Sequence, residues 1–474
     1  MTINRSLSRN LSIVAVGVLL VALFSVYLPV AHAASLSFVV NDLGDASDHN
    51  VGDGFCDSDG VDGLPRVCTL RAALEEGNAN ANDPNGTPPP ALIPHAITFS
   101  TSGTINLTKQ LVATRDFTIT AGAIGNILVN ASTSRNLLVG SETAASTPVV
   151  TITNIIFANG NGIGNVYNGN NRTEGGCIFV VANGSLTLNQ SVVRNCRSTT
   201  YGGGIYGDGG ASGDISAAST INLTNLTTVR NNNAVDGGGI YSLTGYVTVN
   251  TDACVRQNTA GSGGGIYGGD DTLITIGGGS ASNRGFIVRN SATNGGGIFH
   301  FLNSSLNGNH ARFYRNTALD QGGAWFSAGG STGAASAIGR VCVDCCIVNN
   351  SAPLGVSNYA VFQPNNGDTT TWSSSWWGNN WGPMIIDLDP TQSINTIGSA
   401  VSNGDGISGN GTVAVNVGLL DDGNHAGTPI PSGNWDSSST APSDCQTYIC
   451  NPVSSMGPSR TCLQPTSCGL SDSY

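Results

Sequence analysis

Between residues 95 and 350 the apolar positions come as short, β-branched runs and not as long amphipathic stretches. Ala96–Phe99, Thr104–Leu107, Phe117–Thr120, Asn126–Val129 and Val149–Ile152 are strand-length and regularly spaced. From Asn195 onward one phrase returns: an Asn, five to seven residues, then Gly-Gly-x-Ile and an aromatic. Its clearest copies are Asn232–Ile240, Asn258–Ile266 and Asn290–Ile298, with looser ones at Asn195–Ile205 and Asn316–Trp325. Positions 178, 205, 240, 266, 298 and 325 close successive copies at intervals of 27, 35, 26, 32 and 27 residues. A base period with insertions is the mark of stacked coils. Glycine fills 65 of 474 positions, which argues against helix, where each interior Gly costs roughly 1 kcal/mol relative to Ala.

One such repeat cannot bury its own apolar face. Neighbours must therefore stack at about 4.8 Å per coil, with equivalent side chains forming columns. The expectation is an all-β chain, a parallel β-helix solenoid over 95–383. Asn195, Asn232, Asn258, Asn290, Asn316 and Asn350 are expected to form a ladder, at a turn whose positive φ Asn tolerates and with amides bonding up and down the stack. The Gly pair permits a tight turn, and the Ile begins an inward strand. If the Ile points in, the next column of Phe179, Tyr206, Tyr241, Tyr267, Phe299 and Phe326 points out as an aromatic stripe. That stripe is the candidate ligand-binding surface, suited to stacking on sugar rings or a partner.

Gly-Gly-x-Ile with an apolar-x-x-Asn element occurs at Val229–Asn232, Val255–Asn258, Ile287–Asn290, Phe313–Asn316 and Ile347–Asn350. This combination resembles the repeats of the polymorphic outer membrane protein group, which implies a right-handed β-helix of the kind displayed on bacterial surfaces.

The flanks give the domain plan. Residues 1–33 hold Arg5 and Arg9, an apolar run from Ile13 to Val30 and Ala31-His32-Ala33, the pattern of a secretory signal peptide with cleavage before Ala34. Loss of the two Arg shifts the formal charge from −12 to −14. Residues 34–94 form a cap and connector: a strand at Leu36–Asn41, an acidic loop, a helix over Thr69–Asn78 and a Pro-rich link at Asn82–Pro94. Leu70, Ala73 and Leu74 share one helical face that can cover the first coil. Phe38-Val39-Val40-Asn41, Gly52-Asp53-Gly54-x-Cys56 and Cys68-Thr69-Leu70-Arg71-Ala72-Ala73 resemble the CSLREA domain found at the start of bacterial β-helical exported proteins. Ala72 stands where that family has Glu. Residues 372–383 carry four of the six Trp and are similar to the closing coil of such proteins. Residues 384–474 form a strand, linker and Cys-rich tail, with no run of alternating strands to build a membrane barrel.

Charge and cysteine narrow the function. Lys109 and seventeen Arg face thirty carboxylates, too little positive charge for nucleic acid. Twelve Cys in an exported chain read as disulfides. Cys56 and Cys68 bracket the acidic loop, Cys445, Cys450, Cys462 and Cys468 make two more bonds, and Cys342, Cys345 and Cys346 look toward Cys254 or Cys196. Asp53, Asp57, Asp59 and Asp62 partly echo a Ca²⁺ loop without its final bidentate Glu, so Ca²⁺ is the candidate cofactor beside a plain solvated loop. For catalysis, Asp236 and Asp320 sit three coils apart, about 14 Å, too far for glycoside hydrolysis. Asp270, Asp271 and His300 are the remaining catalytic candidates. Arg194, Arg230, Arg256, Arg289 and Arg315 recur near the Asn column as flanking charges. The expected role is a secreted or cell-surface adhesion or structural protein, with a glycan or cell-surface partner and no integral membrane segment after signal removal. The alternative is a carbohydrate-active enzyme, a polysaccharide lyase or glycoside hydrolase, on the same scaffold.

Overall fold

The computed structural model describes residues 35–60, 66–79 and 94–352 apart from short loops, together with the strands Thr369–Ser373, Trp376–Gly378, Ser393–Ser402 and Thr412–Leu420. Residues 1–33, Asp62, Trp381 and the four tail cysteines lie outside the described residues. The described residues from Leu36 onward belong to one compact unit.

This unit is an all-β parallel solenoid. A typical coil contributes three strands. In one coil these are Ile178–Val180, Ser185–Asn189 and Val192–Arg194; in the next they are Ile205–Gly207, Ser219–Thr224 and Thr228–Arg230. Each of these strands pairs parallel with its counterpart one coil on, so Ile178 meets Ile205 and Leu186 meets Ile221. Two strand positions merge into a 23-stranded sheet, and the first position forms an 8-stranded one. Alternation then sorts the side chains. Leu186, Leu188, Ile221, Leu223, Val247 and Val249 are fully buried in the coil interior, and the residues between them face outward.

Parallel stacking explains the glycines. Gly237 has φ +64°, in the left-handed region that costs an L-residue roughly 1–2 kcal/mol. At Gly239 a Cβ would lie 2.6 Å from the Gly265 carbonyl and 2.8 Å from Asn258 Nδ2. The motif therefore needs glycine for one conformational reason and one steric reason, and both repeat up the stack.

The N-terminal residues cover the first coil. The strand Ser37–Val40 adds parallel to His95–Phe99. The helix Leu70–Ala79 buries Leu70, Ala72, Ala73 and Leu74, and Thr69 Oγ1 caps it by accepting the Ala72 N–H at 3.0 Å. Arg71 ties helix to solenoid, donating to the Gln110 and Lys109 carbonyls while pairing with Asp45 at 2.7 Å. Cys56–Cys68 is bonded.

The insertion after Gly160 carries an antiparallel pair, Asn165–Tyr167 with Asn170–Arg172. Arg135 anchors it: fully buried, it donates to Gln110 Oε1 and to the carbonyls of Arg172 and Glu174. Desolvation pulls its pKa down to about 9.

Candidate functional site

The Asn ladder lies inside the stack. Asn258 Oδ1 accepts both the backbone N–H and Nδ2 of Asn232, each at 3.0 Å. Asn258 Nδ2 donates onward to Asn290 Oδ1 and back to the Val229 carbonyl, again at 3.0 Å. The same pattern carries through Asn290 and Asn316 to Asn350, and these residues are at most 1% exposed. Asn195 is not a rung. Its φ of +57° places it in the column of Asn231, Gln257, Arg289 and Arg315, all left-handed. The rung beside it is Cys196, whose backbone N–H donates to Asn232 Oδ1 at 2.9 Å. The strained position is thus one residue before the ladder, which is why Gln and Arg share it: its side chain faces away and only its backbone is constrained.

Cys196 pairs with Cys177, closing a bond within one repeat and not with the 342–346 group. Cys254 and Cys345 are also disulfide-bonded.

The aromatic column is in register from Phe179 through Tyr206, Tyr241, Tyr267 and Phe299 to Phe326. Its rings point out of the coil interior and form a second apolar cluster with Leu138 and Val181. As an exposed stripe, however, it fails. Centroids lie 4.6 Å apart for Tyr241–Tyr267 and 4.9 Å for Tyr267–Phe299, with planes 7° and 13° from parallel. At that repeat each ring covers its neighbours' faces. Gly175 and Gly237 turn back against the column, and Tyr201 packs on Tyr241 at 4.8 Å. Phe179 is 0% exposed and Tyr241 7%; Tyr267 is half-buried, with its faces covered by Tyr241 and Phe299. Burial, reinforced by neighbouring tyrosines and by Asp236 and Asp270, raises the Tyr241 hydroxyl well above its ordinary pKa. Burial, then Asp236 and Asp270, does the same for Tyr267.

The catalytic candidates sit in unlike surroundings. His300 aligns with Gly268 in the ladder, is 0% exposed and bonds Ser304 Oγ at 3.1 Å. Asp270, two residues beyond Gly268, acts on the tyrosine column, and Asp271 occupies a left-handed turn. Asp236 stacks over Ser262, then Asn294, then Gln321, so Gln321 and not Asp320 shares its column. Burial raises the Asp236 pKa, opposed by hydrogen bonds from Ser262.

In the acidic loop the carboxylates are used internally. Asp53 accepts the Phe55 N–H, Asp45 takes Arg71 and Thr108, and Glu76 receives the N–H groups of Gly52 and Gly54. Asp57 is 3% exposed. Among the described residues, which leave out Asp62, no group of three His, Cys, Asp or Glu side chains is placed to hold a metal ion. An open pocket of about 310 Å³ lies between helix and solenoid, with Lys109, Glu75, Asn78 and Glu142 on its walls.

Two outer faces remain. On one, Arg194, Arg230 and Arg256 are stacked in register, while Arg289 and Arg315 occupy the turn column. The other was missed by motif spacing. The residues immediately before the buried Ile119, Ile152, Leu188, Leu223, Val249 and Ile276 are all Thr or Asn, in register coil after coil. The signal was present in Thr118-Ile-Thr120 and Thr151-Ile-Thr153.

Comparison with protein-family models, with curated proteins and with solved structures finds no match for this chain. Among the described residues no helix is long and apolar enough to cross a membrane.

Proposed function

We propose that the chain is an exported, surface-associated right-handed parallel β-helix that serves as an adhesion or structural protein toward a glycan or other cell-surface partner. The observation that carries this reading is the set of in-register outer columns. Each coil repeats the same short side-chain pattern about 4.8 Å from the last, which makes a laterally repeated surface suited to many weak contacts acting together. Bonded cysteines support an oxidising destination, and the segment 1–33 supports export. The Gly-Gly-x-Ile repeats and the Cys56–Cys68 unit support kinship with the polymorphic outer membrane and CSLREA groups. The enzyme reading has less support, because His300 is sealed from solvent.

Beads coated with the full chain, washed over cell surfaces and over immobilised cell-wall polysaccharide, test the proposal. Retention above albumin-coated beads, without release of reducing or unsaturated sugar ends, is expected. Sugar release without retention would replace adhesion by catalysis.

A further inference from the structure

Resting on the adhesion reading above, we infer that the Thr/Asn face of the second strand position is the docking site for a linear, neutral glycan laid along the stack. The face is built from columns. One runs from Thr118 through Thr151, Thr187, Asn222 and Thr248 to Thr275, each residue paired in register with the next. A second column, two residues further along each strand, holds Thr120, Thr153, Asn189 and Thr224. Their outward direction is fixed by the fully buried residues that alternate with them.

Charge selects the ligand. The whole chain carries 30 acidic and 18 basic residues, yet neither column contains an ionisable side chain. A polyanion finds no cation there and a polycation no carboxylate; a neutral hydroxylated polymer meets neither repulsion nor an unpaired charge. In the second column Thr224 Oγ1 donates to the Leu188 carbonyl and Asn189 Oδ1 accepts from Asn225 Nδ2, whereas the first column's hydroxyls are available. Among the described residues the column from Thr118 to Thr275 has one side-chain hydrogen bond of its own, Asn222 Nδ2 to Thr187 Oγ1 at 3.5 Å. Rungs recur at about 4.8 Å, close to the advance of one sugar along an extended chain, so successive rungs can meet successive sugars. The flanking column adds an apolar platform: Tyr246, 44% exposed, stands in register between Thr220 and Leu273. Unlike the stacked rings of the other sheet, it can offer a face to sugar C–H groups.

The test is sedimentation of the full chain with microcrystalline cellulose and insoluble chitin, beside alginate gel as a polyanionic control. Bead adhesion to cells is measured in parallel. The wild-type chain is expected to sediment with a neutral glycan and not with alginate. A Thr151→Asp, Thr187→Asp, Thr248→Asp variant is expected to bind at least tenfold more weakly. The variant Thr187→Val, Thr248→Val keeps the β-branched shape and removes only hydroxyls; it is expected to weaken binding several-fold with an unchanged melting temperature, and it decides the matter if the Asp variant does not fold. Unchanged binding by a folded variant overturns the site. Binding to alginate alone overturns the neutral ligand. Cell adhesion without neutral-glycan binding overturns this inference and leaves the adhesion reading standing, whereas loss of both removes the adhesion reading as well.

Discussion

At the scale of single residues the structure separates two jobs that the motif runs together. Asn258 carries hydrogen bonds, and Gln257 before it carries the left-handed backbone. Removing the Asn258 side chain would take the acceptor from the Asn232 backbone N–H, one of the two acceptors from Asn232 Nδ2 and the Nδ2 donor from the Val229 carbonyl, in a site without solvent. With a buried unsatisfied group worth about 1–3 kcal/mol, and some relief from entering water, Asn258→Ala should lower stability by about 3 kcal/mol. Gln257→Ala, which keeps the strained φ, should change it by less than about 1 kcal/mol. Urea unfolding of the two variants checks the contrast. The ladder was legible from Asn232 onward because those copies share one spacing. Asn195 misled by a single residue, since spacing alone does not distinguish a rung from its neighbour when Cys196 replaces the amide. The aromatic column was legible in register and direction. Its exposure was not, because the sequence does not show that rings at the coil repeat cover one another.

At the scale of elements the N-terminal cap shows what composition hides. An acidic loop reads as a metal loop or a solvated one, yet its carboxylates cap backbone N–H groups and bind Arg71. Asp48, buried against Glu76 and Asp57, has its pKa pushed up to about 7; burial is the main cause, with the neighbouring carboxylates adding to it and a hydrogen bond from the Asp57 backbone opposing. In the fold it keeps a proton that the unfolded chain releases near 3.8. Between those values the folded state binds more protons, so stability falls as pH rises through that window and levels off above it. Hydrogen exchange of the helix Leu70–Ala79 should therefore quicken from pH 4 to pH 7 beyond its intrinsic pH dependence. Asp48→Asn should remove most of that excess. An unchanged excess in the variant would assign the effect to other groups.

At the scale of the whole molecule, periodicity carried most of the information. The coil repeat, the parallel pairing and the inward Ile column follow from glycine and β-branched residues recurring at one interval, because only stacking buries such short apolar runs. Function was less legible, since it resides in outward residues that folding does not constrain. The Thr and Asn columns emerge only once the register is known. That register is the central claim, and electron–electron dipolar spectroscopy on paired spin labels tests it most directly. Labels at Thr151→Cys and Thr275→Cys, four rungs apart on one column, should lie about 19 Å apart, and labels at Thr118→Cys and Asn307→Cys, six rungs apart, about 29 Å, within the reach of the label arms, at about 4.8 Å per rung. Distances that do not grow with rung number, or that are equal for the two pairs, would contradict the stacked, in-register solenoid.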